Sequence, residues 1–366
     1  MLLVIYLFLA FFPFLFGAKN NYKYYDVFVM MIISVLLYCS QGLPDFSVMD
    51  NVYETIKNGV IYTDTGMGWF LICKLGCWLG IERYKTLMTV IFVFSLILVR
   101  STINYYVTSY RDRAMIWGMF LIYPVMVEGV QIRFFLAESI VLFGVRYITN
   151  RSKSKNILFL LLVFLAATIH SSMMVYVIMW LCVTLREIKG MVPFFSTIGV
   201  LFTLGSWDFI RKIASFFVNS TRINVYFYGL NSPQLLACIV YIVFTIIFIC
   251  IAHALYKRQK ELQLSEKDSL FIQLFYSITI LTCMIIPFTW MDVNFFRVQR
   301  ICWIMLYIAS AIIKKYGRSS VVFQIYSGSN VKISIDKMLC AICILGNLAF
   351  ISARSWEIIE GYLYII

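Results

Sequence analysis

Apolar runs and short polar links alternate along the whole chain. A helix needs roughly 20 mostly apolar residues to cross a bilayer, with about 17 as the lower end. Twelve runs come close enough to be read as crossings: about 1–16, 24–40, 85–107, 114–130, 134–148, 156–169, 172–185, 191–205, 234–256, 269–289, 300–313 and 338–352. In lipid, helices satisfy their own backbone polar groups, so this pattern predicts an all-α polytopic membrane protein. Residues 1–366 are read as a single integral membrane domain, with outer segments at 41–84 and 206–233. Inside the first segment, MGWFLICKLGCWLGI (67–81) is apolar but short, and Lys74 interrupts it. It is read as a re-entrant or interfacial helix rather than a crossing.

Composition sharpens this picture. Apolar residues make up 62% of the chain and charged residues 13%, about half the charge density of a soluble domain. The net charge of +13 would suggest nucleic acid in a soluble protein. Here the basic residues are scattered between apolar runs rather than gathered on one module, so no nucleic-acid partner is expected. Basic links belong on the cytoplasmic side, beside anionic lipid. If 67–81 does not cross, the links SYRDR, RYITNRSKSK, REIKG, KRQKELQLSEK and the stretch 314–337 all fall inside, and both termini fall outside. The opening run, MLLVIYLFLAFFPFLF, has neither a basic start nor a small-residue cleavage site, so it is read as a retained helix. Most of the ten cysteines lie in apolar runs. Cys340 and Cys343 form a CxxC with no second pair to complete a metal site, so neither metal nor cofactor is expected.

Ionisable groups near hydrocarbon cost on the order of 2.5–3.5 kcal/mol each on insertion scales, and are functional candidates for that reason. In this threading many gather at the outer mouth. Glu128 and Arg133 flank one turn, with Glu138 below. His170 tips the next, and Asp292, Arg297 and Arg300 a later one. Asp45, Asp50, Tyr53 and Asp64 occupy the first outer segment. Arg100 is expected to reach the inner surface or pair locally, and His253 is read as a bystander.

Four stretches carry a resemblance. They are PDFSVMDNVYETI with TGMGWFLICKL, VQIRFFLAESIVLFGVRYI, FLAATIHSSMMVY, and NFFRVQRICWIML. In this order they resemble the EpsG-type Wzy polymerases, enzymes that join lipid-linked sugar repeat units in O-antigen, capsule or exopolysaccharide synthesis. Arg133 and Ala137 match an Arg-x-x-x-Ala helix start, and His170 and Ser172 a His-x-Ser turn. The late arginine matches either Arg297 or Arg300. TGMGWF lacks the family's Glu-Pro, so no residue is carried over there.

The resemblance implies a GT-C-like glycosyltransferase in the bacterial cytoplasmic (inner) membrane, with its site facing the periplasm or exterior. Donor and acceptor would both be undecaprenyl-pyrophosphate-linked oligosaccharides; a flippase and a chain-length regulator would be partners. An acceptor hydroxyl would attack the anomeric carbon and expel pyrophosphate, whose developing charge calls for fixed cations. Arg133 with Arg297 or Arg300 suits that role, because a guanidinium fork binds phosphate in a bidentate way and stays charged. This would make the reaction metal-independent. Histidine is the side-chain type suited to proton transfer near neutral pH, so His170 could act as base or donate to a phosphate oxygen, with Asp45, Asp50 and Glu138 as carboxylate alternatives. Tyr53, Trp69, Tyr226 and Tyr228 are candidate sugar-stacking rings. The rival readings are a lipid-linked sugar flippase and a membrane acyltransferase using His170. No related halves favour the flippase, and no acid or Asn partner favours the acyltransferase.

Overall fold

The computed structural model describes residues 2–15, 22–40, 43, 45–62, 65–150, 152–184, 235–286, 293–317, 320–324 and 330–350. The expected helix at 191–205, the outer segment 206–233, and Asp64, Asp292, Tyr226 and Tyr228 lie outside these residues. The chain forms two compact units, Met1–Trp180 with Tyr307–Ile366, and Leu181–Leu306.

In the first unit, α1 (Leu2–Leu15) and α2 (Tyr25–Cys39) are followed by two short helices, α3 (Phe46–Lys57) and α4 (Met67–Trp78). Then come α5 (Tyr84–Tyr106), α6 (Tyr110–Ile122), α7 (Val125–Val130), α8 (Ile132–Ile148), α9 (Lys153–Ile169), a 3₁₀ turn over Ser171–Tyr176, and α10 beginning at Val177. Ser109 caps α6, its hydroxyl accepting from the Asp112 N–H. The sequence pattern predicts one helix over 114–130; the structure breaks it into α6 and α7 at Pro124, a residue that disfavours helix in the one before it. The centre of the unit is α8, buried almost throughout from Phe134 to Val145.

Contacts sort the helix ends into two groups. At one end, the Tyr106 and Thr149 hydroxyls lie 2.7 Å apart and Asn150 donates to the Tyr105 hydroxyl at 2.9 Å, so α5 and α8 run parallel. Asp112 and Asp336 both meet Lys314 there, at 2.9 and 2.8 Å. Three links that the charge pattern assigns to one side thus meet. At the other end, Lys85 donates to the Ser40 carbonyl, Tyr53 to that of Ile81, and Lys57 to that of Glu82. The α4 helix begins against the last residues of α9 and ends beside the start of α5, so both its ends lie in this second group. Its 12 residues rise about 18 Å at 1.5 Å each, short of a hydrocarbon core of about 30 Å. Arg100, half-exposed on α5, pairs with the buried Asp26 of α2.

In the second unit, α11 (Leu235–Lys260) and α12 (Glu266–Leu281) lie side by side, tied by Tyr241 donating to the Thr282 carbonyl at 3.1 Å. A 3₁₀ segment over Val293–Gln299 leads into α13 (Arg300–Lys315), which continues into the first unit. Trp303 packs against Phe244 and Phe248 of α11.

One departure from an all-α chain lies between α13 and α14 (Ile335–Phe350). Strands Ser320–Gln324 and Asn330–Ser334 pair antiparallel, with Val322 opposite Lys332. The charge pattern alone predicts a plain link over this stretch. Its β-branched and aromatic residues either side of a Ser/Gly/Asn cluster are the signal for the hairpin. Tyr84–Tyr106, Cys238–Lys260 and Phe295–Lys315 are long and apolar enough to cross a membrane, and shorter apolar helices accompany them. The chain is an essentially α-helical membrane protein.

Candidate functional site

The site is built where α8 begins and α9 ends. Arg133 stands in the first turn of α8, half-buried, and its Nη1 donates to the Thr65 carbonyl at 2.7 Å. Phe134, the next residue, turns its ring edge-on to His170 with 5.2 Å between centroids. His170 is where α9 stops: its backbone is extended, and the 3₁₀ turn that follows returns the Ser172 hydroxyl to 2.7 Å from Nδ1.

The 65–69 turn closes the corner. Gly66 adopts φ +107°, a conformation that side chains disfavour, and a Cβ there would lie 2.7 Å from the Thr168 carbonyl oxygen. A Cβ on Gly68 would overlap the Thr168 hydroxyl and come within 2.9 Å of its carbonyl carbon. The turn therefore sits backbone-to-backbone on the end of α9. Arg133 holds the residue before Gly66, and His170 follows Ile169, which Gly66 also faces. Two residues that resemblance singled out are thus brought to one corner from different helices.

Carboxylates approach the same corner. Asp45, exposed at the start of α3, and Asp50, half-buried within it, lie in electrostatic reach of the Tyr84 hydroxyl, as does Arg133. Burial pushes the Cys73 thiol of α4 up to about 12, while the Arg133 guanidinium pulls it down, so that charge also faces α4.

Other expectations change. Glu138 is 1% exposed, in the packed middle of α8 rather than at a mouth. Tyr53 and Trp69 are fully buried. Tyr53 packs on Tyr84 and donates to the Ile81 carbonyl, and burial keeps its hydroxyl protonated. The Trp69 indole N–H is enclosed without a hydrogen-bond partner among the described residues. Neither ring offers an open face for a sugar. Both rings are packed into the framework around the turn. Arg297 and Arg300 belong to the second unit; Arg297 is half-buried in the 3₁₀ segment, and Arg300 is buried at the start of α13. Among the described residues, no three His, Cys, Asp or Glu side chains are grouped to hold a metal ion.

Residues 27–328 match the family model described as the EpsG family. The chain belongs to the EpsG family. The match covers most of its length, and this is a family of Wzy-type polysaccharide polymerases. A glycosyltransferase-type polymerase role in polysaccharide synthesis follows for this EpsG-family protein. No curated protein and no solved structure matches the chain.

Sequence reasoning missed Thr65, Gly66, Gly68, Phe134 and Thr168. Two glycines one residue apart in TGMGWF were the available signal, since paired glycines mark close backbone approach. Nothing local pointed to Thr168.

Proposed function

We propose that this EpsG-family protein joins undecaprenyl-pyrophosphate-linked oligosaccharide repeat units at the outer face of the bacterial cytoplasmic membrane, without a metal. The observation that carries this reading is the convergence of Arg133 and His170 on the 65–69 turn. Arg133 contacts the donor pyrophosphate and stabilises the charge that develops as it leaves. It is half-buried, and Thr65 fixes one of its nitrogens. His170 receives the proton of the acceptor hydroxyl or donates to a phosphate oxygen, according to which nitrogen carries hydrogen. Asp45 and Asp50 are secondary candidates for the proton. Either Arg297 or Arg300 is proposed as a further phosphate contact on the family resemblance. Twelve crossings, a GT-C-like arrangement and an α4 that lies in the outer interface complete the proposal. The sorting of basic links to the Lys314 end supports that orientation.

The test is chain growth by purified protein in nanodiscs, supplied with synthetic lipid-pyrophosphate repeat units. Wild-type protein lengthens them, and Arg133→Ala and His170→Ala do not. A deletion strain separates the rivals. Single repeat units accumulating outside the membrane support the polymerase. Loss of their outward transport supports a flippase, and full-length chains lacking an acyl group support an acyltransferase.

A further inference from the structure

We infer that the seat of Gly66 and Gly68 on Thr168 is a positioning device for Arg133, and that Thr168 is a positioning residue for phosphate recognition. The inference rests on the reading of Arg133 as the phosphate contact.

A guanidinium at the end of a long side chain has many rotamers, and binding phosphate in a defined geometry requires most of them to be removed. The Thr65 carbonyl, 2.7 Å from Nη1, is a fixed acceptor for it. That carbonyl has a defined position because the next residue is pinned. Gly66 is held with its α-carbon against the Thr168 and Ile169 carbonyls, in a backbone conformation that needs glycine. Gly68 lies against the Thr168 hydroxyl and backbone, with no room for a methyl group. Thr168 in turn is fixed by its own hydroxyl, which donates to the Leu165 carbonyl at 2.7 Å. The chain of contacts runs from α9 through two glycines to one carbonyl and then to the arginine. The same end of α9 carries His170. One seat therefore ties the residue that holds the cation to the same end of α9 as the imidazole.

Relaxing the seat should move the Thr65 carbonyl without removing any group that meets substrate. A shift of about 1 Å in a positioned group can cost on the order of 100-fold in rate. The experiment is a double-mutant cycle on chain growth in nanodiscs, with Gly68→Ala and Arg133→Lys made singly and together. Gly68→Ala is expected to lower kcat by tenfold or more, on the order expected for such a displacement. In the Arg133→Lys background the same change is expected to add no further loss, because the fork it positions is already gone. A purely structural role would give the same factor in both backgrounds and would overturn the inference. Thr168→Ala, which removes the worst overlap, is expected to restore part of the Gly68→Ala loss and none of a Gly66→Ala loss, where the clash is with backbone. If Gly68→Ala does not fold, Thr168→Leu crowds the same seat from α9 and enters the same cycle. Arg133→Ala at the wild-type rate would sink the phosphate reading itself. An impaired Arg133→Lys beside an unimpaired Gly68→Ala and an unimpaired Thr168→Leu would sink the seat alone.

Discussion

His170 Nδ1 and Ser172 Oγ lie 2.7 Å apart across the break between α9 and the 3₁₀ turn. That bond sets the tautomer. If the serine hydroxyl donates, Nε2 carries hydrogen and can bond to phosphate. If Nδ1–H donates, Nε2 is the unprotonated nitrogen and is the one that takes a proton. Either way, Ser172→Ala loosens the ring and is expected to slow chain growth by about tenfold, less than the roughly 100- to 10,000-fold expected for His170→Ala as a lost acid–base group. Initial rates in nanodiscs check both, and a His170→Ala enzyme at full speed removes the imidazole from the chemistry.

Arg133 separates charge from shape. Arg133→Ala is expected to cost about 100- to 1,000-fold in kcat, the range for removing one positioned electrostatic stabiliser. Arg133→Lys keeps the charge and loses the fork that holds Thr65 and, in the proposed mechanism, meets phosphate, and is expected to fall between wild type and alanine. Equal rates for the lysine variant and wild type would show that charge alone suffices.

The late arginines are expected to differ. Arg300 is 3% exposed and Arg297 half-buried in a 3₁₀ segment. Arg297→Ala should lower chain growth at normal yield. Arg300→Ala should first lower the yield of folded protein, since it empties a packed position. Size-exclusion profiles read beside activity distinguish the two, and a reversed pattern assigns the phosphate contact to Arg300.

Lys314 holds Asp112 and Asp336 at 2.9 and 2.8 Å, with only 16% of its side chain exposed. Lys314→Met leaves two carboxylates facing each other and is expected to destabilise by about 2 kcal/mol. A lowered melting temperature in detergent is the readout, and Asp336→Asn should cost less because it removes one charge rather than the shared cation. An unchanged melting temperature for Lys314→Met would show that water replaces the pair.

Metal independence has its own test. Chelator added to a working reaction should leave the rate unchanged, because fixed guanidinium groups supply the positive charge in the proposed mechanism. A chelator-sensitive rate restored by one divalent cation would replace that mechanism.

Much of the fold is legible in the sequence because hydropathy is a local property. The α5 helix is predicted over 85–107 and found over Tyr84–Tyr106. The helix start at Ile132 and the stop at Ile169 are likewise close to the expected positions. Less legible were the break at Pro124, where an apolar run continues across a helix-ending residue, and the hairpin at 320–334, whose strands are short. Glu138, Tyr53 and Trp69 illustrate the limit at the site. Their residue types suit catalysis or sugar binding, but exposure depends on what packs over them, and all three are buried.

The sequence by itself determined that this chain is helical and membrane-embedded. Every backbone group in lipid must be satisfied within its own segment, so composition and run length are enough. It also marked Arg133 and His170 through short motifs. Only the tertiary structure decided that they share a corner, that Thr65 holds the arginine, and that two glycines seat that turn on Thr168. Those contacts join positions 65, 133 and 168, set by the packing of helices far apart in the chain, and no local pattern encodes them.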